Sequence, residues 1–259
     1  MVMVDSGNQI SNGYVDFYNV YKAMVEGALA KPAQAEIQAH WWRTGSKVGF
    51  YVQVKNLSTV TLSSWANSAT VHAIVYEDAH IKVTNRFARA AVEVGISNLA
   101  PNATTTLKLE TSDLSDVNWD NLHFVVLVDY RPSVSVGAFD VLQAIAALPI
   151  PAPFTAQPDS LTFMVDPTDL SIQPALVNFQ GPGFVNWTAI PSASWLTTSP
   201  SSGPITIQPT ISVIKNNLSA GWQQGNITFT TTDGFFSDQV IINTYLGSVK
   251  RLYLPIVVR

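Results

Sequence analysis

From Phe17 the apolar residues Phe17, Val20, Tyr21, Met24, Val25, Ala28 and Leu29 recur every three or four positions, which predicts one helix with an apolar face. Asp16 is placed to cap its start and Pro32 to end it. Beyond Pro32 the period drops to two. Ile37, Ala39 and Trp41, then Val48, Phe50, Val52 and Val54, alternate with polar or small residues and predict strands of a sheet buried on one face. Four more strands are expected over 70–77, 91–96, 104–110 and 122–130, and a short helix over 138–147. In the second half, short β-rich runs at 161–165, 175–179, 184–189, 195–198, 205–207, 211–213, 227–230 and 240–245 are each bounded by Gly, Pro, Ser or Asn.

Together these patterns predict a mainly β chain: two tandem immunoglobulin-like antiparallel β-sandwiches, with an N-terminal helix and a short helix before the linker. The alternating prolines Pro149, Pro151 and Pro153 forbid helix and mark a stiff linker. The expected organisation is a helical segment (1–32), a first sandwich (33–148), a Pro-rich linker (149–157), a second sandwich (158–247) and a tail (248–259). The polar residues change across that linker. Residues 1–150 carry 13 acids and 10 bases, whereas residues 151–259 carry 5 and 4, with Ser and Thr filling the polar positions.

Composition narrows the function classes. Charged residues are 12% of the 259 and hydrophobic ones 47%, a balance that favours packed cores over disorder. A net charge of −4 gives no electrostatic footprint for nucleic acid. The absence of cysteine removes disulfides, thiolate metal sites and thiol nucleophiles. No apolar run is long enough to span a bilayer, and Met1 to Gln9 lack the basic-then-apolar layout of an export signal.

The residues that could carry chemistry are few. His40, His72, His80 and His123 show no metal-ligand spacing, and only His80 beside Glu77 and Asp78 forms a constellation, which reads as a solvated strand end. No Gly-x-Ser-x-Gly elbow or phosphate loop is present, and Asp113, Asp116 and Asp120 read as turn and strand-end caps. The sequence therefore predicts no catalytic residues, no metal and no cofactor. Trp187 and Trp195 fall within strands and are expected to fill a core. Trp222, in a turn-rich stretch with Gln223 and Gln224, is the candidate ligand-binding aromatic, with Phe235 and Phe236 as a second apolar tip.

Two resemblances extend this reading. The order Trp187-Thr-Ala, Ser194-Trp195-Leu196-Thr, Ser199-Pro200-Ser-Ser-Gly203, Leu218-Ser-Ala-Gly221-Trp222 and Gly225-Asn226-Ile227-Thr228 resembles the BACON family of bacterial immunoglobulin-like modules. Membership would imply association with polysaccharide-degrading proteins and a carbohydrate-binding role. Trp119-Asp120-Asn121-Leu122-His123-Phe124-Val125-Val126, followed by Phe139-Asp140-Val141-Leu142-Gln143-Ala144, resembles the C-terminal sandwich of Omp28-type bacterial surface lipoproteins. There the sandwich follows a thioredoxin-like domain, whose closing hairpin and last helix Met3 to Gly7 and Asp16 to Ala30 would represent. The tail around Tyr253-Leu254-Pro255 is similar to the ends of many exported bacterial proteins, or is a final edge strand.

The function these features imply is a non-catalytic module of an exported bacterial surface protein, extracellular or in the cell envelope. It would recognise or scaffold a glycan or protein partner, with weak carbohydrate binding. The alternative is the accessory C-terminal part of a redox or hydrolytic enzyme whose catalytic domain lies upstream.

Overall fold

The computed structural model describes residues 2–5, 9–12, 17–81, 84–132, 138–169 and 171–248. Two compact units divide the chain, Met1–Ile150 and Pro151–Arg259. Both are built from strands, and among the described residues no helix is long and apolar enough to cross a membrane.

The first unit opens with a hairpin, β1 (Val2–Val4) and β2 (Gln9–Ser11), and the helix α1 (Phe17–Leu29). The strands that follow are β3 (Ala35–Thr44), β4 (Lys47–Asn56), β5 (Thr70–Ile81), β6 (Thr84–Gly95), β7 (Thr104–Glu110), β8 (Leu122–Tyr130), β9 (Asp140–Ala146) and β10 (Leu148–Pro149), with a one-turn helix α2 (Ser64–Asn67) before β5. They form two facing sheets, ordered β10-β3-β4-β7 and β6-β5-β8-β9. Apart from the two-residue edge strand β10, this is the immunoglobulin-like arrangement of three strands (β3, β4, β7) against four, with β6 joined to β5. Alternation places Val48, Phe50, Val52 and Val54 of β4 and Val71, Ala73 and Val75 of β5 in one core. There Trp41 stacks on Phe124 with centroids 3.8 Å apart.

The second unit contains β11 (Thr155–Gln157), β12 (Ser160–Val165), β13 (Ala175–Leu176), β14 (Asn178–Gln180), β15 (Asn186–Pro191), β16 (Leu196–Ser199), β17 (Ser202–Pro204), β18 (Thr210–Val213), β19 (Gly221–Thr231) and β20 (Ser237–Leu246). Its main sheet is ordered β12-β20-β19-β15-β17, and β13-β18-β16 and the pair β11-β14 supply the opposing layer. The first strand is shared between layers: β11 pairs antiparallel with β14, and β12 then crosses to run parallel to β20. Trp187 is fully buried against Phe179 and Phe229, and its indole N–H donates to the Pro204 carbonyl at 3.0 Å. Trp195 is also in the core, in space left by Gly225, where an added Cβ would stand 3.0 Å from its ring.

Four elements differ from the sequence reading. Residues 138–147 hold no helix: they form β9, because the Gln-Ala-Ile-Ala-Ala stretch meets the open edge of β8, and pairing there overrides local helix propensity. The expected linker 149–157 is entered by sheet at both ends, leaving 150–154 outside the strands. Pro149 extends β3 in parallel and Thr155–Gln157 is β11, since an extended backbone missing one donor suits a sheet edge, and Phe154 and Ala156 have a core to enter. The run 205–207 is a turn, and the strand lies just before it as β17. Finally, α1 has the expected period but buries only Met24, leaving Phe17, Val20, Val25 and Leu29 exposed. Asp16 and the tail from 249 lie outside the described residues.

Candidate functional site

The outward face of the main sheet in the second unit is where the aromatic candidate lies. Trp222 belongs to β19 rather than to a turn, because Ile242 to Leu246 of β20 offer a partner along Gly221 to Gly225. From Gly221 on, that pairing overrides the glycine and amide residues that make 216–225 look like a loop, while 216–220 stay outside the strand. Opposite Trp222 sits Tyr245, with ring centroids 5.3 Å apart and planes inclined at 51°. On the far side of Tyr245, in register, lies Met164 of β12. Met164, Tyr245 and Trp222 thus form a row across three strands. The indole is 63% exposed, far more than a core filler would be.

Strand alternation fixes which neighbours share this face. Gln224 does, two residues on, and its amide donates to Asn243 of β20 at 3.0 Å. Asn226 follows, donating to Gln239 at 2.8 Å. The same face continues through Thr162, Ile241, Thr228 and Ile190, the last 65% exposed. Gln223, in contrast, points to the opposite side of the sheet, opposite fully buried Thr244, and donates to the Ser219 carbonyl at 2.7 Å. It is Gln224 rather than Gln223 that accompanies the indole. Where β15 ends at Pro191, the sheet leaves a hollow of about 370 Å³ lined by Ser192, Gln224, Gly225, Asn226, Gln239 and Ile241.

Phe235 and Phe236 are not part of this surface. They lie in the β19–β20 turn, nine residues along β19 and so about 30 Å from Trp222 at the usual strand rise. The turn is held by Asp233, which accepts from the Thr231 hydroxyl at 2.6 Å and the Phe235 N–H at 3.0 Å. The residues that complete the aromatic face, Met164, Tyr245, Asn243, Asn226 and Gln239, were missed in the sequence. The signal that could have found them is the period of two continued through 221–231 and 237–246, whose outward set is uncharged.

The histidines of the first unit are each engaged locally. His80 meets Asn85 at 2.6 Å rather than Glu77, and His123 pairs with Asp78 at 2.9 Å while stacking on Tyr76. Glu77 turns inward, where the Asn118 N–H at 2.8 Å and then Arg89 at 2.6 Å hold its carboxyl below the usual range. His72 lies 3.1 Å from Asp129 and 3.4 Å from Glu93; the hydrogen bond to Asp129 raises its pKa against the opposing effect of burial. Burial lowers that of His40. Among the described residues no group of three or more His, Asp or Glu is placed to hold a metal. A larger hollow of about 500 Å³ lies between α1, the N-terminal hairpin and β9, but its carboxylate, Asp5, is committed to the Val141 N–H at 2.9 Å and to Lys31.

No family model and no curated protein matches this chain. Among solved structures, the cadherin-like domains 1 to 4 of zebrafish RET are similar at 10% identity, with a TM-score of 0.28, over 82% of this chain and 51% of that one. The titin Ig tandem domains A164-A165 share 10% identity over 82% and 96%, with a TM-score of 0.23. A GH3 beta-glucosidase of Bifidobacterium adolescentis shares 14% identity over 44% of this chain, at a TM-score of 0.22; the chain spans 17% of that enzyme's length. No activity passes from these proteins to this one, and the sandwich assignment stands on the strand order itself.

Proposed function

We propose that this chain is a non-catalytic recognition or scaffolding module of an exported bacterial surface protein, and that it binds carbohydrate weakly through the outward face of β12, β20 and β19. The observation that carries this reading is exposed Trp222 beside half-buried Tyr245, bordered by amides instead of charges. An indole and a phenol ring present flat apolar area that suits the C–H face of a pyranose, and the amides offer donors and acceptors to its hydroxyls. The resemblance of residues 158–246 to the BACON modules points the same way, and both resemblances support a surface location. The site is shallow, so little area is buried against the ligand's lost mobility. Affinity in the high micromolar to millimolar range, roughly 4 to 6 kcal/mol, is expected.

Glycan-array screening of the full chain tests the reading. Binding to at least one glycan, lost in Trp222→Ala with the thermal midpoint unchanged, is the expected result. Failure of the intact protein to bind any glycan would leave the module with a spacer role only.

A further inference from the structure

The chemistry of the same face narrows the class of sugar, an inference that rests on the carbohydrate reading above. The outward positions fall in rows across the strands. Met164, Tyr245 and Trp222 form the first, Thr162, Asn243 and Gln224 the second, and Ser160, Ile241 and Asn226 the third; Gln239, Thr228 and Ile190 follow. None of these side chains carries a charge at neutral pH. The charged Asp238 next to Gln239 lies opposite Phe229 on the inner side and accepts from the Ala156 N–H at 2.8 Å. A uronic or sulfated polymer held here would lose hydration, and none of these described side chains supplies a cation to offset the loss.

The amides are suited to something else. Each pair, Gln224 with Asn243 and Asn226 with Gln239, uses one N–H and one carbonyl lone pair on its partner. By inventory, each amide retains further donor and acceptor capacity. A hydroxyl, itself donor and acceptor, can satisfy such a mixed set, whereas a carboxylate or sulfate can only accept. Successive rows are two residues apart, about 6.8 Å along the strands, so the surface is several sugar units long. A single ring on Trp222 would leave the third and fourth rows untouched. The amide rows also separate the aromatic row from Ile241 and Ile190, so a dry protein surface laid across them would bury polar groups that it would have to match one by one.

We infer that the ligand is an extended, electrically neutral polysaccharide lying along the β19–β20 pair, one sugar on the Trp222–Tyr245 rings and the hydroxyls of the following units on the two amide pairs. Retention of the full chain on insoluble cellulose, chitin and xylan, and on alginate and heparin as anionic probes, tests this at 50 mM and 1 M NaCl. At 1 M salt the Debye length falls to about 3 Å, so charge-driven binding is lost and neutral stacking persists. Retention on at least one neutral polymer should be equal at both salts, and Gln224→Leu and Asn226→Leu should each reduce it about threefold or more with an unchanged melting midpoint. Retention confined to alginate or heparin and abolished by salt would overturn the neutral assignment while leaving the carbohydrate reading intact. Neutral retention that survives Trp222→Ala, Gln224→Leu and Asn226→Leu would place the site elsewhere. Retention on none of the five would overturn both.

Discussion

Trp42 lies flat over Gly49 across the β3–β4 pair, so closely that a Cβ built on Gly49 would stand 2.2 Å from the indole. The glycine is thus part of the packing of the aromatic ring, which covers backbone that no side chain shields. Gly49→Ala forces Trp42 off the sheet and should cost about 1 to 3 kcal/mol, as overpacking does. In a Trp42→Ala background the same change should cost much less. A denaturant double-mutant cycle measures the coupling, and strictly additive effects would show that the two residues act independently.

Trp187 anchors the second core through both its ring contacts and its hydrogen bond to Pro204. Trp187→Ala should destabilise this unit by about 3 to 5 kcal/mol. Trp195→Ala should act in the same direction, because the ring fills space above Gly225. Urea unfolding followed by circular dichroism checks both; a loss under about 1 kcal/mol for Trp187→Ala would contradict its core role.

The two perturbed histidines should tilt stability in opposite directions with pH. His72 has a raised folded pKa, so the folded state holds the proton more tightly. Its contribution is complete below the unfolded value near 6.5 and is lost as pH rises through the higher folded value. His40 has a lowered folded pKa, so folding is penalised once pH falls below the unfolded value. Melting midpoints from pH 5 to 8 for His72→Asn and His40→Asn, against the parent, should differ in opposite senses. Parallel profiles would refute the assignment.

Sequence pattern made the sandwiches readable wherever alternation met a buried face. Val48, Phe50, Val52 and Val54, or Val240 and Ile242, announce strand and core together. Periodicity names a face but not what covers it, which is why α1 has its predicted stripe and yet leaves Phe17 and Leu29 exposed. Nor does local propensity see a partner edge. The alanine-rich stretch of β9 and the Gly-Trp-Gln-Gln-Gly start of β19 become strands because β8 and β20 lie beside them. The same pairing that turns Trp222 into a strand residue brings Tyr245 and Met164 beside it, and sends Gln223 to the other side.

The face around Trp222 is proposed to receive sugar. An NMR titration of isotope-labelled full chain with a soluble neutral oligosaccharide tests it residue by residue. Shifts concentrated on the Trp222 indole N–H, on Tyr245 and on the side-chain amides of Gln224, Asn243 and Asn226 are predicted, saturating at millimolar ligand. Saturable shifts confined to the first unit, or to the turn around Phe235 and Phe236, would contradict it.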